Sequence, residues 1–374
     1  MNLSSRRRFL MLAPAAAPAL WTVAARPDPA HGAGTAPFYP PVRRATPIVF
    51  PRDHGAHPPW RTEWWYLTGW LERLDGPHRG APAGVQVTFF RSRTRHDPAD
   101  PSRFAPTQLL LAHAALALPE EARLTHAQRA ARAGFGLAEF SVEDTAVSIG
   151  DWSLERGRDD RYRARVRDER LALDLEFVPG APPVLQGENG YSRKGPLETQ
   201  ASCYYSRPQL RVSGRITAGG EHAAVRGVAW LDHEWSSELL DPSADGWDWT
   251  GLNLDDGSAL MAFRIRRRDG SPLWSQARWV DGRGRALRPD PQPVFTARRR
   301  WTSPRTGARY PVAMTLAAGT RTLTLEPLFD DQELDARASA GAVYWEGAVR
   351  ALEAGRPVGR GYLELTGYAG ALRL

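Results

Sequence analysis

From Pro58 onward, apolar and polar residues alternate with a period of two, the pattern of strands that bury one face. Val85, Val87 and Phe89 alternate with Gln86 and Thr88, and Leu171, Leu173, Leu175 and Phe177 alternate with Ala172, Asp174 and Glu176. The same reading predicts strands over 208–216, 225–235, 248–255, 258–266, 276–281, 311–317, 321–328, 342–350 and 360–368. Turn residues separate them. Asp255-Asp256-Gly257 and Asp269-Gly270 each lie between two alternating runs and read as hairpin turns. One segment departs from the period. Residues 119–133 place Pro119, Glu120 and Glu121 in a first turn, follow with an Ala/Arg/Leu body, and meet Gly134 just past the end, which predicts a helix. The expected fold is all-β and antiparallel, a barrel or a sandwich, with one short helix.

Composition narrows the picture. The chain has 374 residues, more than one small barrel holds, so two β domains are expected. The pattern breaks at Ser236-Ser237 and Asp241-Pro242-Ser243, which puts the first domain at 48–236 and the second at 237–374. The counts of 34 Gly and 31 Pro agree with many turns and short strands. The single cysteine, Cys203, excludes an intramolecular disulfide framework and any Cys-based zinc or iron–sulfur site. No base neighbours it in sequence, so it reads as a small buried hydrophobe rather than a nucleophile.

The N-terminus changes the meaning of the charge. Ser5-Arg6-Arg7-Arg8-Phe9-Leu10 precedes an Ala/Leu/Pro-rich stretch that ends in Val23-Ala24-Ala25. That order reads as a signal peptide over residues 1–25, of the twin-arginine type, with an extended linker over 26–47. The expected location is periplasmic or secreted. Removing Arg6, Arg7 and Arg8 lowers the formal charge from +7 to +4, since no acid lies in that segment. The basic balance is almost wholly arginine, Lys194 being the one lysine, and no basic tract accompanies a nucleic-acid motif. Nucleic acid is therefore not an expected partner, and a monomer is the expected state. No later apolar run reaches the length of a membrane-spanning helix.

Two aromatic–polar clusters carry the candidate chemistry. In Trp60-Arg61-Thr62-Glu63-Trp64-Trp65-Tyr66-Leu67-Thr68-Gly69-Trp70, a strand places Glu63, Trp65 and Leu67 on one face and Trp64, Tyr66 and Thr68 on the other. In Trp230-Leu231-Asp232-His233-Glu234-Trp235, it places Trp230, Asp232 and Glu234 together and Leu231, His233 and Trp235 opposite. Facing a barrel interior, these carboxylates would have raised pKa values and could act as general acids; facing solvent, they would be ordinary surface acids. Adjacent strand residues point to opposite faces, so Asp232, His233 and Glu234 cannot jointly chelate an ion without a bulge, and no metal is expected there. Gly246-Trp247-Asp248-Trp249 adds two indoles beside an acid, as barrel packing or as an aromatic ligand wall. His113, alone in an apolar strand, reads as a hydrogen-bonded core residue. Tyr204 and Tyr205 either need one partner each or line a pocket beside Asp232. There is no nucleotide motif and no serine-nucleophile elbow.

Five segments in order then resemble the carotenoid 1,2-hydratase/AttH-like family: Glu63-Trp64-Trp65-Tyr66 with Gly69, Gln86-x-Thr88-Phe89-Phe90-Arg91, Tyr204-Tyr205-Ser206, Gly227-x-Ala229-Trp230-x-Asp232-His233-Glu234-Trp235, and Gly246-Trp247-Asp248-Trp249. The resemblance runs from about Trp60 to the C-terminus, dense to residue 270 and thin beyond. It implies two tandem lipocalin-like β-barrels with a ligand cavity and no cofactor. It implies Asp232 as the acid that protonates an alkene, and Glu63, Trp65, Tyr66, Tyr204, Tyr205, Trp230, His233, Glu234, Trp247 and Trp249 as ligand-binding residues. The implied ligand is a lipophilic polyene or isoprenoid-like molecule, acted on by hydration, isomerisation or cyclisation. The family's exported members suggest two alternatives, a lipid carrier working with an ABC transporter and a secreted hydrolase. The chain has Trp230 where the hydratases have tyrosine, Glu234 where they have asparagine and Cys203 where they have histidine, a pattern closer to the exported AttH-like branch.

Overall fold

The computed structural model describes residues 39–97 and 99–372. The signal-peptide reading, its cleavage site and the first part of the 26–47 linker lie outside them. Two antiparallel sheets account for nearly all of the regular structure. The first has thirteen strands between Thr62 and Ser236, and the second has ten between Ala244 and Leu365. The described residues contain one helical element, a 3-10 turn at Arg52–His54. No helix among them is long and apolar enough to cross a membrane.

The first sheet runs, in spatial order, from Arg123–Arg132 through Gln108–Leu118, Pro82–Arg93, Thr62–Arg73, Glu221–Ser236 and Ala201–Ala218 to Leu171–Val178 and four short strands beyond. It curls until Arg123–Arg132 meets Ala146–Ile149 and Leu171–Val178, which nearly closes a barrel. The second sheet centres on Ala244–Leu254 between Ala259–Arg267 and Arg356–Leu365, and curls until Ala259–Arg267 and Pro272–Val280 meet Pro293–Thr302. These are lipocalin-like barrels. Both turn readings hold: Gly257 and Gly270 sit at φ +84° and +81°, where a residue without Cβ is unstrained, and each closes the hairpin on one side of Ala259–Arg267.

The helix expected over 119–133 is a strand hairpin instead. Residues 119–122 turn, and Arg123–Arg132 pairs along its whole length with Gln108–Leu118, from Leu118↔Arg123 to Leu109↔Arg132. Ala, Arg and Leu are good helix formers, but propensity amounts to less than about 1 kcal/mol per residue and yields to tertiary packing. Here they are overridden because Ala127 fills the first barrel's core while Leu124, on the other face, packs near Leu334 and Ala336 of the second sheet. Period two satisfies both faces; a helix would satisfy one.

The first barrel's interior is a packed core rather than a ligand chamber. Trp65, Leu67, Val87, Phe89, Leu173 and Phe177 fill it, all fully buried or nearly so. Leu171–Val178 shows clean alternation of buried and half-exposed positions, as the pattern predicts. The strands at 62–73 and 82–93 bury both faces, because the second barrel covers their outer side. There Tyr66, Trp70, Tyr204 and Trp230 pack with Trp249, Met261, Phe263 and Tyr362. His113 spans the same boundary: its Nδ1 lies 2.6 Å from the Tyr344 hydroxyl and its Nε2 2.9 Å from Ser339 Oγ. Burial pushes its pKa down to about 3, so the bridging imidazole is neutral.

The two barrels approach closely at Gly84. A Cβ there would lie 2.7 Å from the Ala348 Cβ and 2.7 Å from the Tyr362 hydroxyl. Gly84→Ala is expected to cost about 1–3 kcal/mol by overpacking. A fall in the urea midpoint at unchanged slope checks this, and an unmoved midpoint would show that the barrels shift apart freely.

Candidate functional site

Register decides which side chains meet. Thr62–Arg73 pairs with Glu221–Ser236 so that Tyr66 faces Asp232 and Trp64 faces Glu234. Ala201–Ala218 joins the other side of Glu221–Ser236, setting Ser206 beside Asp232 and Tyr204 beside Glu234. With side chains alternating, Trp64, Tyr66, Tyr204, Ser206, Trp230, Asp232 and Glu234 share the barrel's outer face. The second barrel supplies the opposite wall. Between them lies a cleft lined among others by Trp64, Tyr66, Asp232, Glu234, Trp247, Trp249, Phe263 and Tyr344. Its walls are mostly apolar, as small-molecule sites are. Asp232 and Glu234 therefore face neither a barrel interior nor solvent, but the space between barrels.

Asp232 is 3% exposed and accepts three hydrogen bonds: from the Tyr204 hydroxyl at 2.6 Å, from Ser206 Oγ at 2.5 Å and from Trp230 Nε1 at 2.6 Å. Burial outweighs those donors and, with the nearby Glu234 charge, pushes its pKa up to about 7. The Tyr204 oxygen in turn accepts a bond from Trp249 Nε1 at 3.1 Å, which ties Asp232 to the second barrel. Glu234 is ion-paired with Lys194 Nζ at 2.8 Å and accepts the Ser202 hydroxyl. The Lys194 ammonium also lies 4.6 Å from the Tyr204 ring centre and 4.2 Å from that of Phe263.

The second wall holds two further acids. Glu346 and Glu364 are register partners on Ala342–Glu353 and Arg356–Leu365, and both line the cleft. Burial raises the pKa of each, and the charge of Glu364 raises Glu346 further. Glu346 and the Tyr66 hydroxyl are buried beside each other, but Oε2 and the hydroxyl make no well-formed hydrogen bond, to one another or to any other group.

Glu63, Trp65, Tyr205 and His233, expected in the binding site, occupy the opposite face and do not line this cleft. The reason is the strand period that places their neighbours in it. Trp65 fills the first barrel's core, and Glu63, Tyr205 and His233 belong to a buried polar plug between that barrel and the segment 49–60. Glu63 accepts bonds from Arg91 Nε at 2.7 Å, from the His57 amide at 2.9 Å and from His57 Nδ1 at 2.7 Å; His233 Nε2 lies 2.9 Å away. His57 stacks on Trp235, their ring centres 3.6 Å apart. Burial pushes His233 down to about 4, so it is neutral, while Glu63 and Asp53 hold His57 above its ordinary value despite its own burial. His57, Glu63 and His233 are also the described groups that come close enough to hold a metal ion, with donor atoms within 4.8 Å of one another. Their donor atoms are already engaged with each other and with Arg91, so an ion would have to displace that network.

Asp248 also points away from its flanking indoles, held by Arg266 Nε at 2.9 Å and by Arg264. Cys203 is buried beside Tyr205 and Trp235, and burial pushes its thiol up to about 12, which leaves it unreactive. Sequence reasoning missed Lys194, Glu346 and Glu364. Each had a signal. Lys194 is the one lysine in an arginine-rich chain, and Glu346 and Glu364 share strand faces with Tyr344 and Tyr362 inside otherwise apolar runs.

An AttH-like family model matches residues 41–368. A crystal structure of a Nitrosomonas europaea protein assigned to AttH is 50% identical, with a TM-score of 0.81 over 88% of this chain and 99% of that one. Kievitone hydratase from Nectria haematococca is 17% identical, with a TM-score of 0.64 over 90% of this chain and 99% of that one. No curated protein sequence matches significantly.

Proposed function

The chain belongs to the AttH-like family, and we propose that its inter-barrel cleft binds a lipophilic small molecule of the polyene or isoprenoid kind, on which Asp232 acts as a general acid. One observation carries this reading: a carboxyl with a pKa pushed up to about 7 lines an apolar, aromatic cleft. At neutral pH about half of such molecules hold the proton, the balance that suits a general acid. The Tyr204 and Ser206 hydroxyls can turn to accept while Asp232 is protonated, then donate to the carboxylate it leaves.

The step balances without a cofactor. The Asp232 proton passes to one alkene carbon, and a tertiary cation forms on the other. Ring faces such as those of Trp247 and Trp249 stabilise that cation. Water adds to it, and the proton the water loses returns to Asp232, for a net addition of water. Loss of a proton from a neighbouring carbon instead gives an isomer, and attack by a second alkene gives a ring. A protein of the same fold bears the name hydratase, which agrees with this reaction class. A pure carrier would need the cleft but not the raised pKa of Asp232, and a serine hydrolase would need a nucleophile that the cleft does not present among its lining residues. Export by the twin-arginine route, to the periplasm or beyond, is part of the same proposal, supported by Arg6-Arg7 and the apolar stretch after them.

The test uses an acyclic isoprenoid alkene in deuterated water. The full chain is expected to quench its tryptophan fluorescence on binding the alkene and to place deuterium on carbon, read by mass spectrometry. Binding without carbon-bound deuterium would reduce the protein to a carrier, and no binding of any such alkene would overturn the reading.

A further inference from the structure

The cleft is unusually acidic for an apolar site. Asp232, Glu234, Glu346 and Glu364 line it, against the single ammonium of Lys194. Lys194 is committed to Glu234 at 2.8 Å. Asp232 has its three donors. That leaves Glu346 and Glu364, set opposite each other across one ladder, where like charges destabilise a sheet. Glu346 is 1% exposed, and its Oε2 has no partner. The Tyr66 hydroxyl, 6% exposed and also lining the cleft, lies beside Glu346 without a well-formed bond to it or to any other group. Orphaned acceptors at this depth are costly unless something completes them. The surrounding wall is aromatic: Trp64, Tyr66, Trp247, Trp249, Phe263 and Tyr344.

We propose that the ligand of this cleft carries a protonated nitrogen on its apolar body, and that Glu346 and Glu364, with the Tyr66 hydroxyl, receive that cation among the surrounding rings. An ammonium group supplies the donors that Glu346 Oε2 and Tyr66 lack, and ring faces attract its charge. It also allows both carboxyls to ionise together, which burial and their mutual repulsion otherwise oppose. A neutral apolar ligand would leave all of these groups as they are. The arrangement accounts for a feature that acid catalysis by Asp232 does not use, two buried carboxyls opposed across one ladder in an aromatic cleft. The proposal rests on the reading that the cleft is a ligand site, and it narrows the class of ligand to lipophilic amines.

Tryptophan fluorescence of the full chain, titrated with octylammonium and with octanol below micelle-forming concentrations, tests it. Octylammonium is expected to bind about tenfold tighter than octanol or better. In the Glu346→Gln, Glu364→Gln double variant that ratio should fall to about one. Octanol binding by the variant shows that its cleft is still formed, and Glu346→Asp gives a milder check if the double variant folds poorly. Equal or weaker binding of octylammonium by the wild-type protein, or a preference that survives the double substitution, overturns the inference while leaving the cleft a ligand site. Failure of both probes to bind removes the ligand-site reading itself, and this inference with it.

Discussion

Between pH 4 and pH 8, Asp232→Asn is expected to change stability relative to wild type by about 4 kcal/mol, in favour of the variant at the alkaline end. The sign follows from the direction of the shift. The folded-state pKa of Asp232 is raised to about 7, from an ordinary value of 3.8. Between those values the folded protein holds a proton that the unfolded chain has released. The stability this contributes is full below about pH 4 and is lost as pH rises to about 7. Asparagine has no such proton, so its stability curve lacks that slope. Denaturant unfolding of both proteins at the two pH values measures the difference. A constant difference would mean that Asp232 is ionised in the folded protein, held so by Tyr204, Ser206 and Trp230. The same variant should lower deuterium transfer to a bound alkene by about 10²–10⁴-fold, the usual contribution of a positioned acid. Loss of conversion together with gained alkaline stability would separate a reactive group from a structural one, since a structural role predicts loss of both.

Arg91→Ala is expected to lower unfolding free energy by about 3–5 kcal/mol, because it leaves a buried charge unpaired. Arg91 and Glu63 are both fully buried, and Arg91 Nε lies 2.7 Å from the carboxylate. Arg91 also donates to Gln108 at 2.7 Å and to the carbonyls of His57 and Trp60 at 3.0 Å each. The substitution therefore leaves Glu63 without its permanent cation, and strands three acceptors as well. Arg91→Lys should recover only part of the loss, since one ammonium cannot reproduce the planar fork. A shift of the guanidinium midpoint at unchanged slope is the measurement. A loss under 1 kcal/mol would show that His57 takes up a full charge and replaces the arginine. The effect should fall on stability and leave the cleft's ligand preference alone, because Arg91 lies with Glu63 in the polar plug and is not among the residues lining the cleft.

Much of this molecule is written in period two. Alternation at Val85–Phe89 and Leu171–Phe177 specifies strands because each buries one face in a single apolar core. Asp255-Asp256-Gly257 and Asp269-Gly270 specify their hairpins because the glycines adopt positive φ without strain. The same alternation separated Asp232 and Glu234 from His233, and Trp64 and Tyr66 from Glu63 and Trp65. The division of each aromatic cluster into two faces was thus legible from residue order alone.

What each face meets was not. Residues 119–133 have the composition of a helix, and only packing on both sides, against Ala127's core and Leu124's neighbours in the second sheet, makes them a strand. Alternation states that a side chain faces away from its neighbours but not whether it meets core, solvent or a second barrel. Asp232 owes its raised pKa to burial, completed by the covering strands of the second barrel, Trp249 among them. Glu346 and Glu364 stand more than a hundred residues from Asp232 and share its cleft only because the two barrels pack with their outer faces together. By itself the sequence determined most of the strands, the hairpin turns and which residues of a strand share a face, since those follow from local geometry. The tertiary structure alone decided which faces close on each other, because that depends on contacts between residues far apart in the chain, and with it where the acids lose their water.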